Sequence, residues 1–262
     1  MKTLRLVLIV LITSLLVPAG MARTCFDGLD FKQFSTPEGL PNSMVHQVYQ
    51  DRDGYIWIST FYGLFRYDGY EVRTFKSNLY TPGLLVNNNV LCVKEDYSHR
   101  LWIGTHEGLC VLDKRTGIMR KMKLEGISKH RVNEIHVTKD NKVYLGYIRG
   151  MAYYDEVKDT LVLMTRNNCG GEVPEQINVQ TLLEDENGDL LIGTWQDGLF
   201  RYHLNENKFT HYPPLDNINS VLALFQDSRG VIWIGTSGSG LYKANFSSDK
   251  KTLSIEKSYK HD

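Results

Sequence analysis

A phrase of the form aromatic-Ile-Gly-Thr returns along this chain at near-constant intervals, and no other feature restricts its fold as tightly. The copies are Trp57-Ile58-Ser59-Thr60, Trp102-Ile103-Gly104-Thr105, Tyr144-Leu145-Gly146-Tyr147, Leu191-Ile192-Gly193-Thr194 and Trp233-Ile234-Gly235-Thr236, beginning 45, 42, 47 and 42 positions apart. Six or seven residues on comes a second glycine with a large apolar neighbour: Gly63-Leu64, Gly108-Leu109, Gly150-Met151, Gly198-Leu199 and Gly240-Leu241. Six residues before, four units carry Asp51, Asp96, Asp185 and Asp227, whereas the third has Thr138.

Each unit reads as four strands. In the first, Met44 to Gln50 runs into the polar turn Asp51-Arg52-Asp53-Gly54, whose Asp-Gly pair suits a two-residue hairpin. The aromatic phrase is the second strand, Gly63 to Tyr67 the third, and Glu71 to Lys76, beyond Asp68-Gly69, a more polar fourth. The first strands keep two apolar columns, Val45, Val90, Val132, Val179, Val221 and Val48, Val93, Ile135, Leu182, Leu224. A step of three is not alternation, so burial on both faces with a bulge absorbing the odd residue is expected. The aromatic would fill space between neighbouring sheets and the glycine would allow close backbone approach. No segment holds a sustained 3.6-residue stripe, which excludes helical repeats. Four strands per 40 to 45 residues point to an all-β β-propeller of four-stranded antiparallel blades, with blades at about 39–78, 84–123, 128–165, 176–212 and 217–259.

Residues 1–22 form a different segment, a signal peptide ahead of the repeats at 23–262. Lys2 and Arg5 precede an apolar run from Leu6 to Val17, and Gly20-Met21-Ala22 offers small residues for cleavage. The run is short of the roughly 20 residues that span a bilayer, so no transmembrane helix is expected beyond the signal sequence and the destination is the periplasm. Arg23 and Thr24 argue against lipidation at Cys25. Without the leader, 28 Lys plus Arg face 30 Asp plus Glu, a balance with no attraction for nucleic acid. Cys25, Cys92, Cys110 and Cys169 lack paired spacing, and Cys92 and Cys110 are expected as small buried hydrophobes on separate strands.

The stretch Gly39-Leu40-Pro41-Asn42-Ser43 through Asp51-Arg52-Asp53-Gly54-Tyr55-Ile56-Trp57-Ile58-Ser59-Thr60 to Gly63-Leu64-Phe65-Arg66-Tyr67-Asp68-Gly69 resembles the two-component regulator propeller repeat. The resemblance covers residues 27 to 262; it is specific in units one, two and five and weaker where Tyr144 and Leu191 replace tryptophan. It implies a periplasmic sensor region of a hybrid two-component histidine kinase of the Bacteroidetes type, with seven-bladed propellers, one membrane helix and a cytoplasmic kinase. The five units would then be an N-terminal fragment without its kinase module. Phe31-Lys32-Gln33-Phe34 and Leu253 to Tyr259 both read as outer strands, one too many for a closed ring. An incomplete arc of a larger, seven-bladed propeller is therefore expected, with edges open to self-association or to missing sensor segments.

No catalytic constellation stands out, and no enzyme activity is expected of this chain. Gly235-Thr236-Ser237-Gly238-Ser239-Gly240 fits neither a nucleophile elbow nor a phosphate loop. His130 and His136 lack metal spacing, the Asp-rich turns lack the distal glutamate of a calcium loop, and neither metal nor cofactor is expected. In a propeller the loops between second and third strands emerge on one face, and here they differ from unit to unit. Phe61, Tyr62, His106, Glu107, Arg149, Trp195, Gln196 and Asp197 combine aromatic rings with polar groups, a set suited to a sugar ring. An oligosaccharide or other small ligand is the expected partner. A propeller-fold polysaccharide lyase or glycosidase and a protein-binding scaffold remain as alternatives.

Overall fold

The protein is described here from a computed structural model covering residues 44–78, 85–122, 130–212, 218–247 and 251–260. The chain divides into Met1–Phe34 and Ser35–Asp262, and everything described belongs to the second unit. The leader at 1–22, Cys25 and the outer strand at Phe31–Phe34 lie outside the described residues.

Regular structure among those residues is entirely β. The first sheet holds β1 (Val45–Gln50), β2 (Ile56–Thr60), β3 (Gly63–Tyr67) and β4 (Val72–Phe75). The second holds β5 (Val90–Glu95), β6 (Arg100–Thr105), β7 (Gly108–Asp113) and β8 (Met119–Met122). The third holds β9 (Val132–Val137), β10 (Val143–Tyr147), β11 (Gly150–Asp155) and β12 (Thr160–Leu163). The fourth holds β14 (Val179–Glu184), β15 (Leu190–Thr194), β16 (Leu199–His203) and β17 (Lys208–Tyr212), with β13 (Gly170–Gly171) added in parallel beside β17. The fifth holds β18 (Val221–Gln226), β19 (Ile232–Thr236), β20 (Leu241–Phe246) and β21 (Leu253–Tyr259). Every sheet otherwise follows chain order as an antiparallel meander.

The odd step in the apolar columns is a bulge repeated in all five first strands, at His46, Leu91, Asn133, Gln180 and Leu222. The turns differ from expectation. In Asp51-Arg52-Asp53-Gly54 only Gly54 has a positive φ, and its N–H reaches the Asp51 carbonyl while the Asp51 N–H reaches Tyr55. That is a three-residue hairpin, a type I turn closed by a left-handed residue, rather than a two-residue one. His99 and Asn141 take the left-handed place in units two and three.

Four of these turns are held by one side chain. Asp51 Oδ1 accepts the N–H groups of Asp53 and Tyr55, and its Oδ2 accepts the Trp57 indole N–H at 2.8 Å. Asp96 with Trp102 and Asp227 with Trp233 repeat this. In the fourth unit Leu191 offers no donor, and the buried Arg201 guanidinium reaches Asp185 at 2.6 Å instead. In the third, Tyr144 replaces the indole and Thr138 replaces the carboxylate, its hydroxyl exchanging bonds with the Lys142 backbone.

Sheets meet through a valine and a glycine. A Cβ on Gly104 would lie 2.9 Å from Val132 of the next sheet, on Gly146 2.5 Å from Val179, and on Gly193 2.6 Å from Val221. Each of these glycines is therefore required by the approach of its neighbour. Near the turns, the N–H groups of Arg52, Tyr97, Lys139 and Glu186 donate to Glu95, Asn141, Glu184 and Gln226 of the following sheet. Lys114 also ties the first two sheets, its Nζ lying 2.6 to 2.8 Å from Asp51, Asp53 and Glu95. Burial alone would lower its pKa, and these three carboxylates hold it above its ordinary value instead.

The series of sheets is open. Val90, Val132, Val179 and Val221 are buried, but their counterpart Val45 is 49% exposed, and Val48 is 62% exposed. At the other end Gly235 meets only Ala223 of its own sheet, and Phe225 is 62% exposed. Among the described residues no further sheet covers these two faces, as at the ends of an incomplete propeller. Cys92 and Cys110 are buried free thiols on β5 and β7; burial pushes the first well above its usual value and the second up to about 11.

Candidate functional site at the loop-bearing end

The meander places each loop between second and third strands at the end where the first strand begins, and hydrogen bonds fix it there. The N–H groups of Phe61, His106, Ile148, Trp195 and Ser237 donate to the carbonyls of Met44, Asn89, Arg131, Asn178 and Ser220, each just before the first strand of its own sheet. The threonine ending the aromatic phrase then clips the loop. Thr60, Thr105, Thr194 and Thr236 donate their hydroxyls to Gly63, Gly108, Gly198 and Gly240 at 2.7 to 3.0 Å. Tyr147 does the same work in unit three by reaching the Met151 carbonyl.

All eight expected residues therefore lie at one end of the sheets. Phe61, Tyr62, His106, Arg149, Trp195 and Gln196 are exposed, and Glu107 and Asp197 are half-buried. Phe61 and Tyr62 pack edge to face, 5.5 Å between centroids. The Arg149 carbonyl accepts the N–H of Gln176, which leads into the fourth sheet, and Gln196 bonds Ser220 before the fifth. The Asp197 carbonyl accepts the ring N–H of His211. Trp195, at 39% exposure, is held by its backbone while its indole stays accessible. Among the described residues, no ring contact or hydrogen bond joins it to the Phe61–Tyr62 pair.

A second set of polar groups was not singled out from sequence. At the bulges, His46 Nε2 lies 3.1 Å from Asn89 Oδ1, and Asn133 Nδ2 donates to Asn178 Oδ1 and the Val179 carbonyl. Gln180 also donates to Asn178 Oδ1. The Asn133 side-chain oxygen, Oδ1, is buried without a hydrogen-bond partner among the described residues. The irregular step in the apolar columns was the available signal, because a bulge re-aims the residue it inserts. Beside this row, burial pushes the Glu134 carboxyl up to about 7, with the Ile135 N–H and the Lys94 charge opposing. Burial, then Arg149, lowers His130, whose ring stacks on Tyr147. No group of three or more His, Cys, Asp or Glu side chains is placed to hold a metal among the described residues, nor is any helix there long and apolar enough to cross a membrane.

The model of the two component regulator propeller matches residues 39–62, 84–107 and 216–238. No curated protein matches the sequence significantly. Among solved structures, an extracellular domain from B. thetaiotaomicron, described as belonging to the hybrid two component system BT3049, superposes with a TM-score of 0.71 at 24% identity, covering 85% of this chain and 31% of that one. The extracellular domain described for BT4673 of the same organism gives 0.65 at 24%, covering 85% and 29%. Virginiamycin B lyase from Staphylococcus aureus gives 0.64 at 10%, covering 83% and 71%. At such identities the likeness is one of fold, and the chain spans about a third of the B. thetaiotaomicron domains.

Proposed function

We propose, from the premise that three of this chain's five units are two component regulator propeller repeats, that the chain is a ligand-sensing region of an exported regulator. Its ligand is an oligosaccharide held at the loop-bearing end, in the periplasm.

The observation that carries this reading is the contrast within the five loops. Their backbones are tied down by the same two hydrogen bonds in nearly every unit, while their side chains are unlike: paired aromatics, imidazole with carboxylate, guanidinium, and indole with amide and carboxylate. A rigid frame presenting varied groups at one end is what recognition needs, since ordering costs are met in advance. Exposed rings stack on the apolar face of a pyranose, and amide and carboxylate groups take its hydroxyls.

Calorimetric titration with a panel of oligosaccharides tests it. One member should bind, and Trp195→Ala should abolish that binding while leaving the melting temperature unchanged, because the indole is accessible and its backbone carries the structural bond. Unaltered titration by the variant removes Trp195 from the site. Conversion of the sugar to cleaved products would move the assignment to an enzyme of the propeller class.

A further inference from the structure

The departure of unit three from the repeat leaves a cleft at the opposite, turn-bearing end. Where units one, two and five place an indole against a carboxylate, unit three has Tyr144 and Thr138, and a space of about 570 Å³ opens between the third and fourth sheets. Tyr144, Tyr153 and Tyr202 form its aromatic wall, with the Tyr144 ring 6.4 Å from Tyr153 and 6.0 Å from Tyr202. Residues before β14, among them Cys169, complete the lining.

Two observations say what the cleft is suited to. Near these turns other aromatic rings carry a cation of the chain itself: Arg66 lies 4.3 Å from the Tyr55 ring centre, Arg201 4.3 Å from Phe246, and Arg100 5.0 Å from Tyr154, a ring at the edge of this same cleft. The comparable cleft in unit one is only about 310 Å³ and is lined by Arg66, Arg73 and Lys114. Unit three has Tyr153 where unit one has Arg66, and among the described residues no cation lies over Tyr144, Tyr153 or Tyr202. The lining instead carries Asp140, Asp155 and Glu156 against Lys142, while from outside it Lys158 reaches Asp155 at 3.4 Å and Arg100 reaches Glu156 at 3.3 Å.

The second observation is the Tyr144 hydroxyl. Its residue is 95% buried, lines the cleft, and makes no side-chain hydrogen bond among the described residues. Its neutral O–H can donate or accept toward a guest in the cleft. Burial raises the pKa of Tyr144 and pushes that of Tyr202 up to about 12, so both stay neutral.

We propose that this cleft is a second ligand site, which takes a small molecule bearing an ammonium group against the faces of the three tyrosines, under the carboxylates of the rim. The visitor occupies the place that a guanidinium fills in units one and four, where Arg66 and Arg201 stand in register with Tyr153. Choline and its neutral isostere 3,3-dimethylbutan-1-ol separate charge from shape, and titration of the full chain with each is the test. Choline should bind at least about tenfold tighter than the isostere, the size of a partly desolvated cation–π contact. Tyr153→Ala should remove that preference. The exposed Lys142→Gln, which takes away the cation that lines the cleft itself, should tighten choline binding about two- to threefold. Trp195→Ala, at the other end, should leave it unchanged. Equal affinity for the two probes, absence of choline binding, or full affinity in a Tyr153→Ala variant that melts normally would overturn the proposal.

Discussion

Arg201 shows how a repeat tolerates change at single residues. It is fully buried on β16, pairs across the ladder with Leu191, and supplies Asp185 with the charged donor that the missing indole would have supplied as a neutral one. Arg201→Leu would take the charged donor from a buried carboxylate, and we expect a loss of about 3–5 kcal/mol in urea unfolding. The double change Asp185→Thr with Arg201→Leu should recover part of that loss, since unit three already runs without either charge. The aspartate column was visible in the sequence because it stands at fixed distance from the tryptophans. Its partner in unit four was not, because Arg201 comes from a different strand and only the antiparallel register brings it beneath Leu191. For the same reason the three tyrosines of the cleft were invisible as a group, Tyr144 and Tyr153 being cross-strand partners and Tyr202 belonging to the next sheet.

At the scale of the strand, the bulge in every first strand is the element that most shapes the candidate face. The apolar columns announced it, and the four-stranded order of each unit followed from alternating turn signals and apolar runs. The loop residues were legible too, since they are what varies inside a constant frame. The length of the hairpins was misjudged because Asp-Gly serves equally a type I turn with a left-handed glycine, and only backbone hydrogen bonds distinguish the two. β13 left no signal at all: it is two glycines, and its pairing comes from the path of a neighbouring connection. Glu134, on β9, offers a test of the inner strands. Its folded pKa lies above the ordinary value, so the protonated carboxyl favours the fold at acid pH and the contribution fades as pH rises through about 7. Glu134→Gln should therefore leave stability unchanged at pH 5 and raise it by on the order of 1–2 kcal/mol at pH 8, as read from chemical unfolding at the two values.

For the molecule as a whole, the open ends are the dominant fact. Val45 and Val48 on one terminal face and Phe225 on the other are apolar side chains left in water, while their counterparts inside the series are covered by the next sheet. We expect the 262-residue chain to associate with rising concentration, and the double variant Val48→Lys with Phe225→Lys to sediment as a monomer at concentrations where the parent does not. Neither substitution touches a buried contact, so melting should change little. A parent chain that is monodisperse at every concentration would show the terminal faces to be inert. The seam between sheets has one more consequence. Because it is made of side-chain packing, a valine seated on a glycine in three of the seams, and of side-chain bonds such as those of Lys114 and Asn133, the strand ladders stay inside single units. An in-frame duplication or loss of one whole unit would then leave the internal pairing of the others intact, so the gene could lengthen or shorten this body in steps of a blade.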